Sequence, residues 1–436
     1  MYTYKKHHLL FGIASLLFTL STQTACSKSV HDRVSIIPTA DGLKGKVFAG
    51  YQGWYRTPTD GSGLGWEHYE TFDELFEPGE VGIDYWPDVS ELTEAEKYAT
   101  PFKHEDGSTA YVFSSQNEKT VDRHFKWMKD YGIDGVFLQR FAHDVLEGGH
   151  HQWELLRPSN NKMIEYVQKG ARAHGRSFSI MYDLTSIRHG EMPMIMDDWR
   201  ELSDRLDLQN DSNYLHEDGK PLVAIWGVGF SDGRQYTLDE VATLIDFLKN
   251  DPKYGGCTVM LGVPTYWRTL KNDATSDPKF HDVIRSADAL LPWTVGRFGG
   301  SETALQRGID FVQPDQEWCD ANGVHYLPLA FPGFSWGNRY KHDNAKYDHI
   351  PREGGQFLWN QAVAAKRAGA DTLYIAMFDE MDEGTQIFKT TNDAPIGDSP
   401  FLTYEPQAPD YYLRLAGAIG RLLRDEIPAT EALPKL

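Results

Sequence analysis

The densest run of reactive side chains in the 436 residues is Met377-Phe378-Asp379-Glu380-Met381-Asp382-Glu383-Gly384-Thr385, in which four carboxylates fall within five positions. Like charges packed this closely raise some of one another's pKa values, so one acid keeps its proton near neutrality while a neighbour stays ionised. Cleavage of a glycosidic bond needs that division of labour, with a proton donor at the leaving oxygen and an ionised partner beside it. Glu380 and Glu383 are the candidate catalytic pair. Two other readings compete: a solvated acidic loop, common in an anionic chain, and a calcium loop, whose ligand order departs from EF-hand spacing.

Such a pair needs a scaffold. Short apolar segments at 47–51, 110–113, 135–138, 178–182, 222–226, 258–261, 289–293 and 372–377 alternate with amphipathic stretches at 119–131, 161–174, 238–250, 302–322, 355–368 and 411–423. The alternation predicts βαβ units around a parallel sheet, and the fold class is α/β, a single (β/α)₈ TIM barrel with long βα loops. A ninth segment, 326–330, also reads as a strand, so one of the nine is an excursion or a hairpin arm. The last strand ends at Met377, which puts the acids at its C-terminal end, where barrel active sites lie. Residues three apart on a regular strand face opposite ways, so Glu380 and Glu383 converge only if the pleat breaks near Met381-Asp382, with Gly384 giving backbone freedom.

Polar and aromatic residues at the other strand ends would complete a cup. The candidates for substrate binding are Tyr51, Gln52 and Trp54 after the first strand, Gln139 and Arg140, Tyr182 and Asp183, Trp226, Trp293 and Trp336. Asp84 and Tyr85, in a long first βα loop over 64–101, could close over them, and Asp379 and Asp382 flank the acid pair. Singly, each is more commonly a packing residue; together they give a polar site with stacking walls.

A formal charge of −20 argues against nucleic acid or an anionic membrane surface as partner. His143 and His174 lack metal-ligand spacing, and neither a phosphate loop nor a serine nucleophile elbow is present, so no metal or cofactor is expected. The expected partner is an oligosaccharide or polysaccharide, bound by a monomer. Lys5, Lys6, His7 and His8 precede an apolar run over 9–20 and a short polar stretch to Cys26, the order of a secretory signal. Thr24-Ala25-Cys26 resembles a bacterial lipobox, so a signal peptide over 1–25, a tether over 26–45 lipidated at Cys26, and a catalytic domain over 46–436 are expected. That organisation places the protein outside the cytoplasm, periplasmic or on the cell surface, with the lipid as its only membrane contact. Cys257 and Cys319 are too few for a disulfide framework.

Glu380-Met381-Asp382-Glu383-Gly384-Thr385-Gln386-Ile387 resembles a segment of glycoside hydrolase family 99, in which two glutamates three apart precede Gly-Thr-Gln. Gly50-Tyr51-Gln52-Gly53-Trp54-Tyr55 is similar to the opening strand of the wider family 99 and family 71-like group, often labelled xylosidases or arabinosidases. The resemblance implies a retaining endo-α-mannosidase in which the sugar's own 2-hydroxyl attacks the anomeric carbon to form a 1,2-anhydro sugar. Glu380 would then be the base for that hydroxyl and Glu383 the acid/base at the leaving oxygen. The chain differs from the family at Met381-Asp382, where Trp-His is expected, and at Asp379, where Asn is expected. An α-1,3-glucanase of family 71 type and a non-catalytic glycan-binding lipoprotein remain as alternatives.

Overall fold

The computed structural model describes residues 42–436. The expected signal peptide, Cys26 and nearly all of the tether lie outside them. The strands are β1 (Val47–Tyr51), β2 (Tyr98–Lys103), β3 (Thr109–Val112), β4 (Gly135–Phe141), β5 (Ser177–Asp183), β6 (His216–Glu217), β7 (Lys220–Trp226), β8 (Thr258–Pro264), β9 (Ala289–Trp293), β10 (His325–Tyr326), β11 (Leu329–Ala330) and β12 (Leu373–Ile375).

A curled parallel sheet forms the centre, in the order β10-β9-β8-β7-β5-β4-β1-β12-β11, with β6 added antiparallel to β7. The first strand is interior to this path: Phe48 pairs with Gly135 on one side and with Tyr374 on the other. Every residue of β1, β5 and β8 is buried, as expected of strands covered on both faces. Phe48, Phe137, Met181, Met260, Leu291 and Tyr374 fill one face, while the alternate residues pack against the helices.

Two of the expected sheet strands exchange roles. The segment 110–113 lies in β3, which pairs antiparallel with β2 in a separate hairpin. Its burial alternates along the chain, so one face meets solvent, and Asp106-Gly107-Ser108 turns it back on its partner. The segment 326–330 joins the parallel sheet instead, split at Leu327-Pro328 into β10 on β9 and β11 on β12. Pro328 has no N–H for a ladder, but its carbonyl still accepts from the Tyr374 N–H at 3.0 Å.

The helices Leu238–Asn250 and Tyr411–Leu423 have the bounds expected from the sequence. Trp153–His174 starts earlier than expected, and the stretch over 302–322 is two helices, Ser301–Arg307 and Gln313–Asn322, joined by a π-helical turn over Gly308–Val312. Met192–Leu206 and Lys279–Ser286 are helices that the sequence pattern did not reveal. Leu43 is fully buried, and Gly42 donates to the His216 carbonyl at 2.8 Å. Among the described residues no helix is long and apolar enough to cross a membrane.

Candidate active site

Beyond β12 the chain folds into a tight loop. The Met377 N–H donates to Thr385 and the Ile387 N–H to Met377, while the Thr385 and Gln386 N–H groups both reach the Glu380 carbonyl. The Tyr55 hydroxyl holds the middle of this loop, accepting from the Met381 N–H at 2.6 Å and the Asp382 N–H at 3.1 Å while donating to the Asp382 carboxylate at 3.0 Å. That tyrosine, fully buried, is the physical reason the pleat breaks where Glu380 and Glu383 need it to. Gly384 completes the turn at φ +64°, with Ser335 so close that a Cβ would stand 2.9 Å from its backbone nitrogen. The Ser335 N–H in turn donates to the Glu383 carbonyl at 2.8 Å.

The four acids divide sharply. Asp379 is fully buried and accepts from the backbone N–H groups of Gln52 and Gly53, each at 2.8 Å, so it fastens the loop after β1 to the loop after β12. Burial, opposed by those two donors, pushes its carboxyl up to about 7. Asp382 is also buried, but Arg339 at 2.7 Å, His68 at 2.9 Å and Tyr55 outweigh the burial and hold it below the usual carboxylate range. It is the permanent anion of the group.

Glu380 and Glu383 have no cation of their own. Glu380 is 5% exposed and accepts from the Gln52 side-chain amide and the Thr385 hydroxyl, each at 2.9 Å. Burial, then the charges of Glu383 and Asp382, hold its carboxyl well above the usual range. No hydrogen bond reaches the Glu383 carboxyl from the described residues; burial and then Asp382 push it up to about 7 against the pull of Arg339. The two carboxyls titrate as a pair, both above the ordinary carboxylate range, so the pair still carries a proton near neutrality.

The remaining cup residues separate into those that meet open space and those that do not. Trp54, Gln139, Trp226, Trp293 and Trp336 are partly exposed. Trp226 and Trp293 meet edge to face at 5.4 Å, and the Trp54 ring lies flat on the His68 imidazole at 3.7 Å. Gln52 and Gln139 each keep a buried amide oxygen with no hydrogen-bond partner. Asp183 is buried at the end of β5 and accepts from the Thr185 N–H at 2.7 Å.

Tyr51, Arg140, Tyr182, Asp84, Tyr85 and Asp379 have their side chains engaged inside the fold. Tyr51 is fully buried with its hydroxyl 2.8 Å from His124, and Arg140 forms a buried bidentate pair with Asp198, which also accepts from the Tyr182 hydroxyl. Asp84 accepts from the N–H groups of Gly337 and Asn338 and the Ser335 hydroxyl, anchoring the loop that carries Trp336 and Arg339. Tyr85 packs against Tyr404 and the Arg352 guanidinium. These six support the site from behind.

Sequence reasoning missed Tyr55, His68, Arg339 and Thr385. Tyr55 and Thr385 lie inside segments already singled out, next to residues that were named. His68 and Arg339 come from two distant loops and meet only through Asp382, so no local pattern marks them.

A curled parallel α/β sheet with an acid-bearing turn at the end of its last strand defines a class of folds common among glycoside hydrolases, and the comparisons narrow it. Two structures of the GH99 endo-α-mannosidase from Bacteroides thetaiotaomicron, the first in complex with Bis-Tris propane, superpose with TM-scores of 0.60 and 0.61 at 16% and 15% identity, over 88% of this chain and 100% and 99% of theirs. A glycoside hydrolase-like protein superposes with a TM-score of 0.55 at 12% identity, over 87% of this chain and 94% of its own. No protein-family model and no curated protein matches the chain. What is shared is the fold, that of the family 99 endo-α-mannosidases.

Proposed function

We propose that this chain is a glycoside hydrolase that cleaves α-linked glycans by the endo-α-mannosidase-like route, on a closed (β/α)₈ barrel. The pairing of β10 with β9 and of β11 with β12 supports closure, since it links the two ends of the sheet through one interrupted segment. The observation that carries the catalytic reading is that, of four acids on one turn, Glu380 and Glu383 alone have neither an ion-paired cation nor a pair of backbone donors.

In the first step the Glu380 carboxylate takes the proton from the sugar's 2-hydroxyl as O2 attacks C1, and Glu383 gives its proton to the departing glycosidic oxygen. The C1–O bond to the leaving group breaks as the C1–O2 bond forms. In the second step water attacks C1 and opens the three-membered ring, Glu383 taking the water's proton and Glu380 returning one to O2. Two inversions at C1 leave the product with the starting α configuration. Trp226, Trp293 and Trp54 supply flat apolar faces for sugar rings, and Gln52 orients Glu380. Export and lipidation at Cys26 belong to the same proposal and rest on residues 5–26 alone.

The test is a screen on α-mannan, α-1,3-glucan and host or plant α-glycans, with product stereochemistry followed by NMR. The expected result is a product of retained α configuration, formed roughly 10²-fold or more slowly by Glu383→Gln. A mutant with unchanged turnover, or a product of inverted configuration, would sink the reading. Cleavage confined to α-1,3-glucan would assign the chain to the glucanase alternative.

A further inference from the structure

Beside the acid turn, a cavity of about 500 Å³ opens over the first βα loop, within the ~300–1,000 Å³ range of ligand pockets. Its lining includes His68 and Arg339, the two side chains that hold Asp382 between Glu380 and Glu383. The cavity is therefore one bonded contact away from the catalytic turn.

Its lining has a particular chemistry. Trp66 and Phe72 offer aromatic surface, and Phe72 is 61% exposed, the most open aromatic among the large apolar side chains described. The Arg339 guanidinium lies 4.8 Å from the Phe72 ring, while its Nη1 atom is 2.7 Å from Asp382. Phe72 is thus an exposed ring fixed in place at the cavity edge. Glu67, Glu70 and Glu74 supply hydrogen-bond acceptors. No lysine among the described residues faces the cavity, the charge of Arg339 is already matched by Asp382, and the remaining bases in the lining are imidazoles: His68, which is bonded to Asp382, and His150 and His151. Burial and the charges of Glu67 and Glu74 push Glu70 up to about 7, so this wall already resists further negative charge.

We propose that this cavity binds additional neutral hexose units of the glycan chain, stacked on Phe72 and hydrogen-bonded to Glu67, Glu70 and Glu74, and that it excludes uronic acid units. The proposal rests on the glycoside hydrolase reading for the direction in which the chain extends. A neutral sugar brings hydroxyl donors to an acceptor-rich wall and an apolar face to the ring. A uronate brings a carboxylate to three glutamates with no lysine and no unmatched arginine in the lining, a repulsion in a partly desolvated site.

The experiment is calorimetric titration of Glu383→Gln, full length, with mannotetraose from α-mannan, glucotetraose from α-1,3-glucan, and α-1,4-linked tetragalacturonate. One neutral tetraose should bind, and tetragalacturonate should not. Adding Phe72→Ala should weaken the tetraose about five- to tenfold, and adding Glu70→Gln with Glu74→Gln should bring tetragalacturonate into the measurable range. Both sites are on the surface of the loop, and a thermal melt of each variant confirms folding. Failure of both tetraoses to bind, a Kd unmoved by Phe72→Ala, or tetragalacturonate binding as tightly as the neutral sugar would each overturn the proposal. If the wild type hydrolyses nothing while the Phe72 and glutamate dependence of binding holds, the hydrolase reading fails and the cavity stands. If the wild type hydrolyses glycan while the Kd ignores Phe72, the hydrolase reading stands and the cavity fails.

Discussion

Asp379 and Asp382 bracket Glu380, but the oxygens of one are taken by two backbone donors and those of the other by Tyr55, Arg339 and His68, so neither offers a free oxygen to a substrate. What is left is a pair whose two titrations both lie above the ordinary carboxylate range. In the proposed mechanism the working form carries one proton on the pair, with Glu380 as the base and Glu383 as the acid. Below about pH 7 both carry protons, so kcat/KM should fall about tenfold per pH unit as the medium is acidified, with its optimum at or above neutrality. A profile flat between pH 5 and 7 would contradict this assignment. Tyr55→Phe should act differently: it strands two buried N–H groups and a contact to Asp382, lowering stability by about 2 kcal/mol and reducing kcat more than it raises KM. Unchanged melting would remove Tyr55 from its place in the turn.

At the scale of elements, the turn works because neighbouring backbones come very close. Gly384 sits at positive φ against the Ser335 backbone, so Gly384→Ala should cost about 2 kcal/mol or more and break the Ser335–Glu383 hydrogen bond along with activity. A variant that melts with the wild type would show the contact to be dispensable. The strand-and-helix alternation of this scaffold was legible, because parallel strands buried on both faces read as short apolar runs between amphipathic helices. Which run was the hairpin was not legible: 110–113 and 326–330 are alike in composition, and their partners decide the matter. Glu380 and Glu383 stood out through crowding of charge. The support residues did not, since Tyr51, Arg140 and Tyr182 lie at strand ends like true cup residues, and only the side-chain partners inside the fold distinguish them.

For the whole molecule, raised acids set a trend in stability. Asp379, Glu383, Asp144 and Glu70 have folded-state values near 7 and Asp183 near 6, chiefly through burial, all above their values in an unfolded chain. Each contributes stability that is fully present below the unfolded pKa and is lost as pH rises through the folded one. Groups lowered by partners, such as Glu96 and Glu240 at about 2, do the reverse, but their change is complete below pH 5. Tm should therefore drop by several degrees between pH 5 and 8, and Glu383→Gln should melt above the wild type at pH 8. A Tm that rises over that interval would show that burial at the site is less severe than its geometry indicates.

Asp379 grips Gln52 across 327 positions of sequence, and Tyr55 meets Asp382 across another 327. A polypeptide still emerging from the ribosome thus lacks one whole half of this constellation until β12 and the turn after it have been made. On the proposed function, premature termination anywhere before the final strand should yield an inert product, and a protein cut in two should regain turnover only when both fragments reassociate.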